Sequence, residues 1–299
     1  MTLNARFDPL HLRSRAQPAT PWEERRDRLQ RLRQLLLRHR NDIAAAISTD
    51  FGNRSQHETQ FLEVFTSLQA IDHALAHGKH WMQPQVRPTA IWFKPGGNRL
   101  LPQPLGVIGI VTPWNYPLLL TIGPLACALA AGNLAMIKLS ENTPAFGELF
   151  ERLIRQSFSD DEITVVNGGV DVAREFCALA FDHLIFTGST AVGREVMRIA
   201  SEHLTPVTLE LGGKSPAIIA ADADFKHAVA RIVSGKLLNA GQTCIAPDYV
   251  LLPRGRERDF IEAARAAVAR MYPALNDERL AVDDYTSIVN ERHFTRLQE

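Results

Sequence analysis

LGVIGIV, residues 105–111, is an apolar run interrupted only by glycine. A strand with one face in water alternates apolar and polar side chains. A run without alternation is what a strand covered on both faces requires. The same texture returns downstream in LAMI (134–137), ITVV (163–166) and HLIF (183–186). Helical patterns fill the intervals: one reaching Ala131, one from about Pro144 to Ser157, one from Asp171, and one between Ser189 and Glu202. Strand–helix alternation of this kind predicts a parallel α/β sheet with right-handed crossovers.

Working outward from this core, Thr20-Pro21-Trp22-Glu23 has the makings of a capping box, with Thr20 as N-cap. Leu29, Leu32, Leu36, Ile43 and Ile47 then mark one helical face, and Gly52-Asn53 stops it. Phe61, Leu62, Phe65, Leu68 and Ile71 predict a second amphipathic helix. Pro84, Pro88 and Pro95 mark a loop, and the residues from Arg99 to Leu101 a strand. After Pro206 the texture shifts to VTLELGG (207–213) and AII (217–219), which puts a domain boundary near residue 207. NERHFTRLQE (290–299) reads as a helix only just begun, so the second domain is expected to be incomplete.

Composition narrows the function classes. The 299 residues carry 33 basic and 33 acidic side chains, and nothing in that balance suggests the basic face that nucleic acid or an acidic membrane would need. The longest apolar stretch, from Tyr116 to Ala131, is too short to span a bilayer. Cys127, Cys177 and Cys244 are widely spaced and contain no CxxC pair, which argues against a zinc site or disulfide framework and for a reducing, cytoplasmic setting. The ten histidines are read as forming no HxxxH or HxH cluster and as holding no metal. Cys127 and Cys177 fall in helical patterns and are expected to be packing thiols.

Chemistry concentrates at the strand ends. FTGSTAVG (186–193) closes a strand and opens a helix, where free N–H groups and the helix dipole suit a pyrophosphate. Gly188, Ser189, Val192 and Gly193 are the candidates, although Ser189 also serves as a plain N-cap. IKLSE (137–141) offers Lys138, Ser140 and Glu141 at another strand end; alone, they are equally a solvated loop. TPWNYP (112–117) holds Asn115 where its amide could donate to an oxyanion, or make an ordinary turn. Glu210, between leucines, is either exposed on an edge strand or a tuned base. GKS (213–215) lacks the upstream glycine of a P-loop and is followed by Pro216. No GxSxG elbow is present.

Taken together and in order, TPWNYP, IKLSE, FTGSTAVG, LELGGKSP (209–216) and GQTC (241–244) resemble the aldehyde dehydrogenase superfamily over essentially the whole chain. DFGNRS (50–55) and LPQPLGV (101–107) are most similar to its shorter, class-3-like branch, in particular the bacterial coniferyl aldehyde dehydrogenases. The resemblance implies a Rossmann-like parallel-sheet cofactor domain with N-terminal helices over residues 1–207, and an α/β catalytic domain over 208–299 that family chains continue well past residue 299. It implies Cys244 as nucleophile, Glu210 as general base, and Asn115 with the Cys244 N–H as oxyanion donors. Thr112, Pro113 and Trp114 would lie beside the cofactor. Lys138, Ser140 and Glu141 would hold its ribose, and Gly188, Ser189, Val192 and Gly193 its pyrophosphate. Leu211 and Gly212 would meet the nicotinamide. The family usually has proline where this chain has Leu139.

The implied cofactor is NAD, with NADP an alternative that Glu141 would disfavour by repelling a 2′-phosphate. The implied partner is a small aldehyde, and the family's assembly is a homodimer. Two other readings compete: a truncated relative that at most binds dinucleotide, and a thiol esterase using Cys244 and Glu210 without cofactor. Hydride transfer separates them.

Overall fold

The structure is a computed structural model that describes residues 2–273 and 284–299. The chain opens with helices α1 (Leu3–Ala16), α2 (Trp22–Asp50) and the short α3 (Gln56–Glu58), which runs through a π-helical turn at Thr59–Phe65 into α4 (Thr66–Trp81). A hairpin of β1 (Gln85–Arg87) and β2 (Asn98–Leu100) comes next. Then come β3 (Val107–Val111), α5 (Leu119–Ala130), β4 (Leu134–Lys138), α6 (Pro144–Ser157), β5 (Ile163–Val166), α7 (Val170–Cys177), β6 (His183–Gly188), α8 (Thr190–Ala200) and β7 (Val207–Leu211). The chain continues through β8 (Ser215–Ile218), α9 (Phe225–Leu237), β9 (Pro247–Leu251), α10 (Glu257–Met271) and α11 (Glu291–Gln298).

Strands β5-β4-β3-β6-β7 form one five-stranded sheet, parallel throughout. Its apolar runs divide between two faces by the two-residue period of a strand. Ile108, Ile110, Ala135, Ile137, Ile163 and Val165 pack under α2, α4, α5 and α6. Val107, Val111, Leu134, Met136 and Val166 pack under α1, α7 and α8. Each fully buried Ile or Leu contributes about 1.5–3 kcal/mol, so two covered faces explain why the LGVIGIV pattern has no polar alternation. A third, smaller core joins the parallel pair β8–β9 to α9 and α10.

The hydrogen bonds of β7 to β6 carry the central sheet on to Leu211. Several expectations are corrected. Thr20 does not cap α2: its hydroxyl donates to the Gly132 carbonyl at 3.0 Å, and Pro21 takes the cap position. α1 carries no broad apolar stripe; Phe7 and Leu10 anchor it, and Arg6 and Arg15 pair with Glu151 and Asp182. In the second predicted helix, the π turn adds a residue to one turn and rotates the downstream turns about the helix axis. Phe61 and Phe65 therefore stand 66% and 49% exposed and stack on each other, while Val64 and Ile71 are buried. Cys177 is buried as expected, but Cys127 is exposed. No described helix is long and apolar enough to cross a membrane.

Candidate active site

A parallel sheet directs all its strand C-termini to one edge. The order runs outward from β3 through β4 and β5 on one side and from β6 to β7 on the other, so the crevice of a doubly wound sheet falls between β3 and β6. Thr112–Pro117 leave β3 there, Leu139–Glu141 leave β4, Gly188–Gly193 join β6 to α8, and Gly212-Gly213 come directly after β7. Every predicted site segment except the cysteine loop thus lies on one edge of one sheet.

The cysteine loop reaches the same edge by its own hydrogen bonds. After α9 the backbone enters the left-handed region at three successive residues, Asn239 (φ 52°), Ala240 (φ 52°) and Gly241 (φ 77°). Glycine adopts this at no steric cost, and asparagine tolerates it. Ala240 bears a strain of order 1 kcal/mol. The turn reverses the chain so that Gln242 and Thr243 meet the loop after β3. Asn115 Nδ2 donates to the Gln242 carbonyl at 2.9 Å, and Tyr116 Oη shares a hydrogen bond with Thr243 Oγ1 at 2.7 Å. Asn115 is half-buried, and its amide nitrogen carries a second N–H.

Cys244 sits in an exposed turn that leads into β9. The β8–β9 pairing, which sets Ser215 opposite Pro247, draws the end of β7 alongside. A Cβ built on Gly213 would stand 3.7 Å from the Cys244 carbonyl oxygen. Glu210 lies in the edge strand β7 and is exposed to solvent.

On the other flank, Lys138 is buried and donates from Nζ to the Leu139 carbonyl at 2.6 Å, with Glu141 Oε2 4.0 Å away. Burial pushes the Lys138 pKa down, and Glu141 partly offsets this. Behind it, burial drives the Cys177 thiol up to about 11 despite the nearby Lys138 charge. Thr112 donates its N–H to the Lys138 carbonyl at 3.0 Å, which joins the β3 and β4 exits. Trp114 packs against Phe51 and His293. Ser189 caps α8, accepting the Val192 N–H at 3.4 Å, so the plain capping role is realised. Leu211 leans over Gly193: a Cβ there would meet Leu211 Cδ2 at 2.8 Å.

The profile of the aldehyde dehydrogenase family matches residues 13–299. The chain belongs to the aldehyde dehydrogenase family. It is 49% identical over 283 residues to the "Probable coniferyl aldehyde dehydrogenase" of Pseudomonas aeruginosa, a match covering 95% of this chain and 59% of that protein. Among solved structures, the substrate-bound state of Staphylococcus aureus AldH superposes with a TM-score of 0.93 at 35% identity, over 99% of this chain and 64% of that one. The Mycobacterium tuberculosis aldehyde dehydrogenase complexed with NAD+ superposes with a TM-score of 0.81 at 28% identity, over 94% of this chain and 57% of that one. The chain therefore spans a little over half the length of these family members.

Reading the sequence passed over several residues that the structure brings to the site. Arg54 and Glu58 touch the asparagine and cysteine loops from beneath. The Gln242 side chain bonds Ser287 and Val289. The signal available was confined to Glu63, a charge between Leu62 and Val64; Arg54 and Glu58 sit among Asn53, Ser55, His57 and Thr59, where a charge draws no notice. The histidine reading also needs correction: HALAH (73–77) has a His-x3-His spacing, and the two rings lie 4.5 Å apart on α4. Among the described residues, no group of three or more His, Cys, Asp or Glu is placed to hold a metal ion.

Proposed function

We propose that this chain carries the nucleophile and cofactor-binding machinery of an aldehyde dehydrogenase that oxidises an aldehyde to the acid. The observation that supports it is the pair of hydrogen bonds from Asn115 and Tyr116 to Gln242 and Thr243. They hold the amide donor against the segment that presents Cys244. An aldehyde does not release hydride until a nucleophile adds to its carbon. A thiolate suits that step, being intrinsically nucleophilic with a free pKa of ~8.5. Cys244 Sγ would form the C–S bond, and the carbonyl oxygen would become an oxyanion accepting from Asn115 Nδ2 and the Cys244 N–H. Collapse re-forms the C=O bond as hydride departs, leaving a thioester. Glu210 would take a proton from the water that hydrolyses it, releasing acid and thiol.

When bound, a nicotinamide dinucleotide accepts the hydride. The residues present fit such a group. Lys138 has engaged one of its three donors, on Leu139 O, and the exposed Glu141 carboxylate stands beside it. Lys138, Ser140 and Glu141 would hold the ribose, and Gly188, Ser189, Val192 and Gly193 at the α8 N-terminus the pyrophosphate. Thr112, Pro113, Trp114, Leu211 and Gly212 would line the nicotinamide end. Glu141 would repel a 2′-phosphate, which favours NAD over NADP. Identity to a protein named for coniferyl aldehyde supports an aromatic aldehyde substrate. Three free cysteines support a reducing cytoplasm.

The test mixes the purified chain with NAD and coniferyl aldehyde and follows the absorbance of reduced nicotinamide, with Cys244→Ser as control. Turnover that vanishes in the variant is the expected outcome. Turnover that persists there would remove Cys244 from the reaction. A second reading, dinucleotide binding without turnover, draws on the solvent exposure of both Cys244 and Glu210. Thermal stabilisation by NAD without hydride transfer would favour it. The proposed assembly is a homodimer. On the β1–β2 hairpin, Trp92 stands 87% exposed beside Ile91 and Phe93, an apolar surface of the kind that partners cover. Light scattering that shows a monomer would remove it.

A further inference from the structure

The segment between α2 and α4 supplies three charged side chains that are almost wholly buried. Arg54 and Glu63 form an ion pair at 3.0 Å with both side chains closed to solvent, and Glu58 is 8% exposed. Burying charge is costly unless each charge is matched. Arg54 Nε and Nη2 and Glu58 Oε1 have no hydrogen-bond partner among the described residues, and the remaining atoms are matched largely by backbone groups of the two loops. Arg54 Nη1 donates to the Asn115 carbonyl at 2.8 Å. Glu63 Oε2 accepts the N–H groups of Leu118 and Leu119 at 2.7 and 3.1 Å, fixing the end of the same loop. Glu58 Oε2 accepts the Asn239 N–H at 3.0 Å, at the first residue of the left-handed turn before Cys244. The same oxygen accepts from Thr286 Oγ1 at 2.8 Å. Asn239 completes the circuit by donating from Nδ2 to the Asn115 carbonyl at 2.9 Å.

The faces of Arg54 not used in these bonds lie against rings. Its guanidinium carbon is 5.0 Å from the centroid of Phe51 and 4.9 Å from that of Tyr116, whose hydroxyl reaches Thr243. One segment therefore bonds to the asparagine loop through Arg54 and Glu63, and to the cysteine loop through Glu58. The two loops are 127 residues apart in sequence, and the hydrogen bond between them, Asn115 to Gln242, is set by this shared support.

We infer that Glu58 and Arg54 are positioning residues for the nucleophile–oxyanion pair: Glu58 fixes the strained turn that presents Cys244, and Arg54 fixes the backbone that carries Asn115. The inference rests on the proposed roles of those two residues. Neither Glu58 nor Arg54 touches the reacting atoms. Their effect is to keep the donor amide and the thiol at one separation while an oxyanion forms, the stage at which preorganised donors matter most.

The probe is 4-nitrophenyl acetate, which needs nucleophile and oxyanion donors but no dinucleotide. Cys244 Sγ forms a bond to the acetyl carbon, 4-nitrophenolate leaves with the bonding electrons, and water later hydrolyses the thioester. Glu58→Ala is expected to slow this acylation about tenfold or more, with KM for the ester within about twofold of wild type. Glu58→Gln keeps an acceptor oxygen at the same reach and is expected to recover most of the rate. Glu58→Asp, one methylene short of the Asn239 N–H, is expected to be slower than Gln, and this pair carries the test if the alanine variant does not fold. Arg54→Lys should likewise exceed Arg54→Met. A folded Glu58→Ala with wild-type acylation would overturn the inference, as would Gln and Asp variants of equal rate. Cys244→Ala separates the two levels. Ester cleavage that survives in it, or no cleavage by wild type, defeats the nucleophile assignment. Cleavage lost in it but untouched across the Glu58 series defeats only the positioning role.

Discussion

Asn115 presents a single amide to two tasks. Its Nδ2 donates to the Gln242 carbonyl, and its own backbone carbonyl takes bonds from Arg54 and Asn239. The side chain is thus fixed before any substrate arrives, which is what an oxyanion donor requires. Asn115→Asp separates the donor from the shape. The carboxylate is isosteric but can only accept, and it would face the Gln242 carbonyl oxygen. The expected result is a fall of about 10²–10³ in kcat with little change in KM. A steady-state comparison against wild type, with a thermal melt to confirm folding, checks it. Equal kcat values would take Asn115 out of the chemistry.

Among the elements, the first turn of α8 is the one proposed to meet the pyrophosphate. Ser189 caps the helix and Gly193 N–H bonds back to the Ser189 carbonyl at 2.9 Å, so the helix start is complete in itself. The proposed dinucleotide contact would rest on the lack of bulk at Gly188 and Gly193. Gly193→Val would push on Leu211 Cδ2, 2.8 Å from the new Cβ, and close the approach to the turn. A loss of about tenfold in NAD affinity by calorimetry is the expected outcome. Unchanged affinity would place the pyrophosphate elsewhere. The strands of this sheet were legible because covering both faces leaves a two-residue rhythm no polar residue to show. The site motifs were legible because they fall on strand ends. α1 was not, since its hold on the sheet is two apolar side chains and the ion pairs of Arg6, Arg13 and Arg15 rather than a periodic stripe. Nor was the π turn at Thr59–Phe65, where periodicity reads Phe61 and Phe65 as core. The grip of Arg54 and Glu58 was illegible for another reason: it depends on contacts with residues 61 and 181 positions away.

At the scale of the molecule, the N-terminal helices must be held to the sheet they cover, and one acidic residue concentrates that hold. Glu162, at the turn between α6 and β5, accepts from Arg31 at 2.8 and 3.0 Å and from the buried Arg28 at 3.2 Å, while Arg13 of α1 pairs with the adjacent Asp161 at 3.1 Å. Burial would raise the Glu162 pKa, but the hydrogen bonds and charges of Arg31, then Arg28, outweigh it and hold the carboxyl at about 2. A folded-state value below the unfolded one, near 4.3, means the native state binds the proton less readily. The stabilisation is present in full above the unfolded value and fades as pH falls through the folded one. One pKa unit corresponds to about 1.4 kcal/mol, so the contribution near neutral pH is about 2–3 kcal/mol. Glu162→Gln should therefore lower the urea-unfolding free energy by about that amount at neutral pH, partly because the buried Arg28 is left with Glu24 alone as its charge partner. The gap between variant and wild type should narrow steadily from about pH 4.5 downward and nearly close at about pH 2. Other carboxylates titrate in the same window, but they do so in both proteins and cancel in the difference. A gap that stayed constant with pH would mean that Glu162 stabilises through packing and not through its charge, and that α1 and α2 are fastened chiefly by their apolar contacts.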